Sequence, residues 1–285
     1  MLTIKGTYQA EGTQSDGDTI HFTPDDPAEW GLVGGVHKVR SSALGRGKLR
    51  LDGVDALETH YSSAPRVHQP LPLAHAAADE LLSWLGFSDV QRGADETVIK
   101  TVPGTVPGFV FARGADVHGR CVALAGRGET SAVGGSETDV DTEALRATVN
   151  HHLLNTGLAY PMYYRGLPQS LREGLTDAVN HARSVPAKGV WAQDVTMSGA
   201  EIAGLSTLTD EVTVLPKLFR RMVDYLKLGQ ENMGCLPAFL GGVQDRFTIA
   251  STGERVIGLH RVVSVADGRT VGMTQPVEDL VFEEG

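Results

Sequence analysis

The chain has 285 residues, 41% of them hydrophobic and 21% charged, a globular mixture that excludes disorder of the whole and leaves room for one large or two modest domains. The start, Met1 to Tyr8, lacks the apolar core of a signal peptide, and no stretch reaches the ~18 apolar residues of a membrane helix, so the sequence predicts a cytoplasmic protein, or one released without a signal peptide, that makes no membrane contact. A formal charge of −10 sets a condition on any nucleic-acid role, because phosphate contact draws on a basic footprint, which must here be local.

Residues 2–8 and 18–23 alternate as the opening strands of a barrel, joined through a turn region from Gly12 to Gly17. The run Asp16-Gly17-Asp18-Thr19 places two carboxylates around a glycine just before the alternation Ile20-His21-Phe22. Thr23 to Gly47 is loop-rich, with Pro24, Pro27 and several glycines, and reads as a decorated hairpin pinned by Trp30. Leu49, Leu51 and Gly53 then alternate with Arg50, Asp52 and Val54 at the period of a strand, and Gly53 marks a bend or a close backbone approach. The strand spills into a turn that carries Asp55 and Glu58. A guanidinium, a carboxylate suited to a metal and a carboxylate suited to a proton so fall within nine positions, a set that serves phosphate chemistry.

A helix is expected from Pro70 to Gly86, with Pro72 in its first turn and Leu73, Ala77, Leu81, Leu82 and Leu85 on one face. Residues 95–101 and 108–113 read as further strands, and Arg120 follows in the stretch Arg113 to Leu124. Two helices come next. Asp141 or Thr142 caps the first, which runs to Gly157, and Pro168 opens the second. The adjacent His151 and His152 diverge by about 100° on a helix and are not expected to share an ion. Cys121 and Cys235 match no zinc or redox spacing and are expected to be reduced and buried. Past residue 194 the pattern changes to a linker or short helix at 198–210, a helix from Leu215 to Leu228, and a hairpin from Gly253 to Thr274 turning at Asp267-Gly268. Lys217, Arg220, Arg221 and Lys227 make one helix face basic, either a solvated face or a track for phosphates.

Taken in order, these segments resemble the staphylococcal nuclease (thermonuclease) family, whose sequences carry a D-G-D-T element, an R-L-x-G-[IV]-D-x-x-E-T element and a D-x-[YF]-G-R element. They match Asp16 to Thr19, Arg50 to Thr59 and Asp116 to Arg120, and Lys188-Gly189-Val190-Trp191 is similar to the family's closing K-x-G-x-W. His118 stands where that family usually has an aromatic, Val117 where it often has a basic residue, and Ala56 where it commonly has threonine. The resemblance spans residues 2–194. It implies an α+β fold: a five-stranded OB-fold-like Greek-key barrel with three packed helices, to which residues 195–285 add a small α+β extension, a helix and a β-hairpin, of unknown role.

The same resemblance implies a calcium-dependent endonuclease that hydrolyses phosphodiester bonds of DNA or RNA. Asp18 and Asp55 would ligate one Ca2+ together with the backbone carbonyl of Ala56, with Asp16 in support behind them. Glu58 would orient or deprotonate the attacking water, Arg50 and Arg120 would hold the phosphate by paired hydrogen bonds, and His118 and Tyr163 would border the substrate. Two alternatives stay open. One is a non-catalytic nuclease-like module that grips nucleic acid or a peptide; the other is a cargo or scaffold component that meets a protein partner through residues 195–285. On the family pattern, deleting that segment is expected to leave a folded barrel.

Overall fold

The structure is a computed structural model that describes residues 1–14, 16–61 and 66–284, so Ser15 of the first turn lies outside it. Its first half contains β1 (Leu2–Gln9), β2 (Thr19–Pro24), β3 (Gly47–Leu51), β4 (Gly53–Ala56) and helix α1 (Leu71–Leu85). The hairpin of β5 (Ser88–Arg92) and β6 (Val98–Val102) and the long pair β7 (Val106–Ala115) and β8 (Cys121–Arg127) follow. Strands β1-β2-β3-β8-β7 close into a barrel, antiparallel at every seam except β3 with β8. The chain is thus an α+β protein with a closed five-stranded mixed barrel. Alternation explains its interior: Ile4, Ile20, Phe22, Leu49, Val110 and Leu124 are fully buried while their neighbours on the strands face outward. Tyr8 fills the remaining space, its hydroxyl 2.6 Å from the carbonyl oxygen of Phe109 and 2.8 Å from that of Gly126.

The connection between β2 and β3 is held as the sequence suggests. Trp30 is buried, donates from Nε1 to the Gly45 carbonyl at 2.7 Å, and meets Phe22 edge to face. On β2, His21 lies opposite Lys48; burial, with the nearby charges of Arg46 and Lys48, pushes its imidazole down to about 4. The folded state therefore resists a proton that the unfolded chain accepts at the ordinary value of 6.5. Stability is expected to fall as the pH drops from 6.5 towards 4, and urea midpoints across that range should fall less steeply in His21→Asn than in the wild type.

The second half holds α2 (Thr142–Arg146), α3 (Val149–Asn155), β9 (Ala159–Tyr164) and α4 (Gln169–Ser184). The single helix expected up to Gly157 is two. Asp141 caps α2 through the Ala144 N–H, and Thr148, which bridges to Gly126 on the barrel, restarts the chain by capping α3 through the His151 N–H. Beyond residue 194 come β10 (Ala200–Glu201), α5 (Pro216–Leu226), α6 (Leu236–Val243), β11 (Arg246–Ile249), β12 (Glu254–Ile257), β13 (Val263–Ala266), β14 (Thr270–Met273) and β15 (Leu280–Phe282). The hairpin turning at Asp267-Gly268 is β13 with β14; Val256 and Ile257, expected in it, belong instead to β12 and pair with β11.

A five-stranded sheet in the order β12-β11-β15-β9-β4 joins this C-terminal segment to the strand that leaves the barrel. The apolar packing follows the sheet. One core fills the barrel and the faces of α1, α3 and α4, and a second gathers Phe219, Met222, Leu236, Phe247 and Phe282 around Leu57, Tyr160 and Met162. Cys121 is buried, but Cys235 is exposed, at the start of α6, against the expectation that both are covered. No helix among the described residues is long and apolar enough to cross a membrane.

Candidate functional site

The carboxylates come together because three backbone features bring the strand ends close. At Gly17 a Cβ would stand 2.6 Å from the Cβ of Ala77 and 2.8 Å from that of Ala56, so only glycine lets the Asp16–Asp18 turn press against α1 and β4. Gly53 has φ +76°, and a Cβ there would meet Leu175 at 2.5 Å; this bend turns the chain out of the barrel from β3 into β4. Asn150, fully buried on α3, fastens the bend. Its Nδ2 donates to the carbonyls of Asp52 at 2.9 Å and Ala123 at 3.1 Å, and its Oδ1 accepts from the Ala125 N–H at 2.9 Å.

On this frame the charged side chains alternate in sign. Arg50 pairs through Nη1 with Asp18 and through Nη2 with Asp55 Oδ1 at 3.0 Å. Asp55, fully buried, gives its other oxygen to Arg220 Nη2 at 3.1 Å, and Arg220 Nη1 reaches Glu58 Oε1 at 2.5 Å. The order is Asp18, Arg50, Asp55, Arg220, Glu58. Ala56 donates its backbone N–H to Asp18 Oδ2 at 3.3 Å. Burial works against ionisation of Asp18, but Arg50 and Arg120 outweigh it and hold the group below the usual carboxylate range. Burial, with the Asp18 and Glu58 charges, pushes Asp16 well up, and burial also raises Glu58 despite Arg220.

Arg220 was not legible as a site residue. It sits on α5, 165 positions from Asp55, on the basic face read as either solvated or a track for phosphates. Lys217, Arg220 and Arg221 on that face are half-buried, and Lys227 is exposed. Lys217 pairs with Asp245 at 3.0 Å and lies over the Phe282 ring, Arg221 makes a two-pronged pair with Asp245, and Lys227 lies over the Tyr61 ring. The sequence signals that could have pointed here are two polar residues flanking the Glu58 turn. Gln69, fully buried, accepts from the Glu58 N–H at 3.3 Å and donates to the Val214 carbonyl, just ahead of α5, at 2.8 Å. Tyr61 donates to the carboxylate of Asp224 on α5, its hydroxyl 2.9 Å from each oxygen.

Arg50 and Arg120 line one cavity of about 700 Å³, together with Arg113, His118 and Tyr164. Arg120 Nε is held by Asp116 Oδ2 at 2.7 Å, and the His118 N–H by the other oxygen of the same carboxylate at 2.9 Å. Arg113 is braced by Asp52 at 2.6 Å and by Glu284. Tyr163 is not on this wall: it is buried, its hydroxyl 2.9 Å from Thr176 Oγ1, because adjacent residues of β9 face opposite ways and Tyr164 takes the place beside Arg50. Glu58 does not line the cavity either.

No protein-family model and no curated protein sequence matches this chain.

Asp18 and Asp55 supply hard oxygen atoms of the kind calcium prefers. As arranged, however, Asp55 meets guanidinium nitrogens of both Arg50 and Arg220 and Asp18 meets that of Arg50, and among the described residues no group of three His, Cys, Asp or Glu side chains is placed to hold a metal ion. The residues in this arrangement do not form a calcium site.

Proposed function

We propose that this chain hydrolyses phosphodiester bonds of DNA or RNA as an endonuclease, on a barrel of the OB-fold type. The observation that carries the reading is the convergence of Arg50 and Arg120 on one cavity, with the two Nη atoms of Arg50 bound to Asp18 and Asp55. Two guanidiniums facing one concave space suit a phosphate, whose oxygens take paired N–H donors and gain charge as the bond to the leaving oxygen breaks. Asp18 and Asp55, paired with the two Nη atoms of Arg50, fix the orientation of its guanidinium. Glu58, held above the usual carboxylate range by burial, suits the task of taking a proton from water near neutral pH. Calcium enters the proposal only as the cation that the sequence resemblance implies, and the test below decides whether the reaction needs it.

The test is cleavage of end-labelled single-stranded DNA and RNA across a calcium series. Two carboxylates make a weak site, so half-maximal activity is expected near ~10⁻⁴ to 10⁻³ M calcium, with none in excess chelator. Equal cleavage with chelator present would remove calcium from the scheme, and a folded protein that cuts neither substrate at millimolar calcium would remove the enzyme.

A second reading has one observation in its favour: Glu58 is tied to Arg220 and stands off the cavity wall. On that reading the cavity grips a phosphate of nucleic acid, or an acidic group of a peptide, without cutting it. Arginine substitutions would then change affinity alone.

A further inference from the structure

We infer that Arg113 is a third phosphate-binding guanidinium of the cavity, and that the Glu284 carboxylate stands where a second phosphate of a bound strand is held. The inference rests on the reading of the cavity as a phosphate site, but not on cleavage. Along β7, Ala112 pairs with Ala123 of β8 and Gly114 with Val122, so Arg113 is the extra residue of a bulge, a device that re-aims a side chain. Its guanidinium is fixed along one edge: Nε and Nη2 meet the two oxygens of Asp52 at 2.6 and 3.3 Å. Nη1 is left for another oxyanion, and Glu284 Oε1 takes it. Gly166 makes the room, since a Cβ there would overlap Arg113 Nη1 and stand 2.9 Å from Glu284 Oε1. A carboxylate seated at this nitrogen marks a position that an oxyanion fits, on the wall that Arg113 shares with Arg50 and Arg120.

Of the carboxylates that line the cavity, Glu284 is the one placed to leave. Its side chain is 54% exposed, against 19% for Asp116 and 1% for Asp52. Strand β15 ends at Phe282, and the backbone beyond it is tied by the Glu283 N–H to the Arg246 carbonyl at 2.9 Å, an anchor about which Glu284 can swing. A strand already held at Arg50 and Arg120 brings its next phosphate to Arg113 as an intramolecular step. It then meets only the resistance of a half-exposed ion pair, which is small.

The experiment is equilibrium binding of fluorescein-labelled octathymidylate, read by anisotropy in metal-free buffer, to the full-length wild type and its variants. Glu284→Gln is expected to bind about fivefold more tightly, the upper end of what a half-exposed ion pair is worth. Glu283→Gln makes the same change of net charge one residue away and should stay within about twofold. Removing Arg113 alone would strand the buried Asp52, so the two go together. Asp52→Asn/Arg113→Gln is expected to weaken binding about fivefold or more and to lower the salt slope by about 0.7, the share of one phosphate contact on a single strand. Adding Glu284→Gln to that pair should then change affinity less than about twofold, because the position it blocks is gone. Unchanged affinity in Glu284→Gln overturns the proposal, as does equal tightening in Glu283→Gln or an undiminished gain from Glu284→Gln without Arg113. If the Arg113 variants do not fold, the wild type decides: the NMR signal of the Glu284 carboxyl carbon must move as octathymidylate is added, and a signal unmoved at saturation overturns the proposal. Octathymidylate held by neither the wild type nor Glu284→Gln removes this proposal and the phosphate reading together, whereas binding without cleavage removes the endonuclease alone.

Discussion

On the proposed function, Glu58→Gln is expected to lower turnover on DNA or RNA by a factor on the order of 10² to 10⁴, the usual worth of a positioned general base, and to leave substrate affinity nearly unchanged. The structure supplies the reason to expect a clean result. Gln keeps an oxygen that accepts from Arg220, and Arg220 retains its three contacts to Asp55, so no buried charge is stranded by the change. The Glu58 backbone is fixed separately, by its N–H to the Gln69 side chain and its carbonyl to the Gln69 N–H. Arg50→Lys should cost turnover on the order of 10² or more, because lysine keeps the charge and loses the planar fork. Arg120→Lys should follow the same direction. Single-turnover rates beside equilibrium binding separate the cases: unchanged cleavage in folded Glu58→Gln denies it the role of base, and losses confined to binding in the arginine variants favour the non-catalytic grip.

Phe219→Ala destabilises the whole protein by about 3–5 kcal/mol, the range for emptying a large aromatic site in a packed core. Phe219 is fully buried on α5, in the core that also contains Leu57 from the Glu58 turn and Tyr160 and Met162 from β9. Those three residues lie before residue 195, outside the C-terminal segment. A cavity at Phe219 is therefore felt on both sides, and the loss should appear as one cooperative urea transition with a lower midpoint and an unchanged slope. Two separate transitions, with only one of them shifted, would show instead a C-terminal segment that unfolds by itself. For the same reason deletion of residues 195–285 is now expected to unfold the chain, since it strips β15 and β11 from β9 and bares Leu57, Tyr160 and Met162.

Much of the barrel was legible because its strands alternate and its turns are marked. Helices α1 and α5 were legible for a similar reason: their apolar residues recur on one face between a proline at the start and a glycine at or near the end. What escaped was short or continuous. Strands β11 and β15 span only Arg246–Ile249 and Leu280–Phe282, too short for a period to register, and β9 is an unbroken apolar run with Pro161 inside it, which argues against a strand. Within the site, Asp18, Arg50, Asp55 and Glu58 could be grouped because neighbouring barrel strands and the turn that follows bring them together. Arg220 could not. Its helix face carries the ordinary marks of a solvated surface, and only long-range packing turns that face towards carboxylates.

The 165 positions between Asp55 and Arg220 also have a cost in time. At a synthesis rate of about 5–20 residues per second, that separation amounts to roughly 8–33 s during which the carboxylates have been made and the arginine has not. Through that interval Arg50 is the one guanidinium of the set on hand, and the nascent turn at Glu58 has neither its ion-pair partner nor the core that covers Leu57. A growing chain thus meets cellular cations and chaperones with this acidic cluster half assembled, and its charge is settled only when α5 docks.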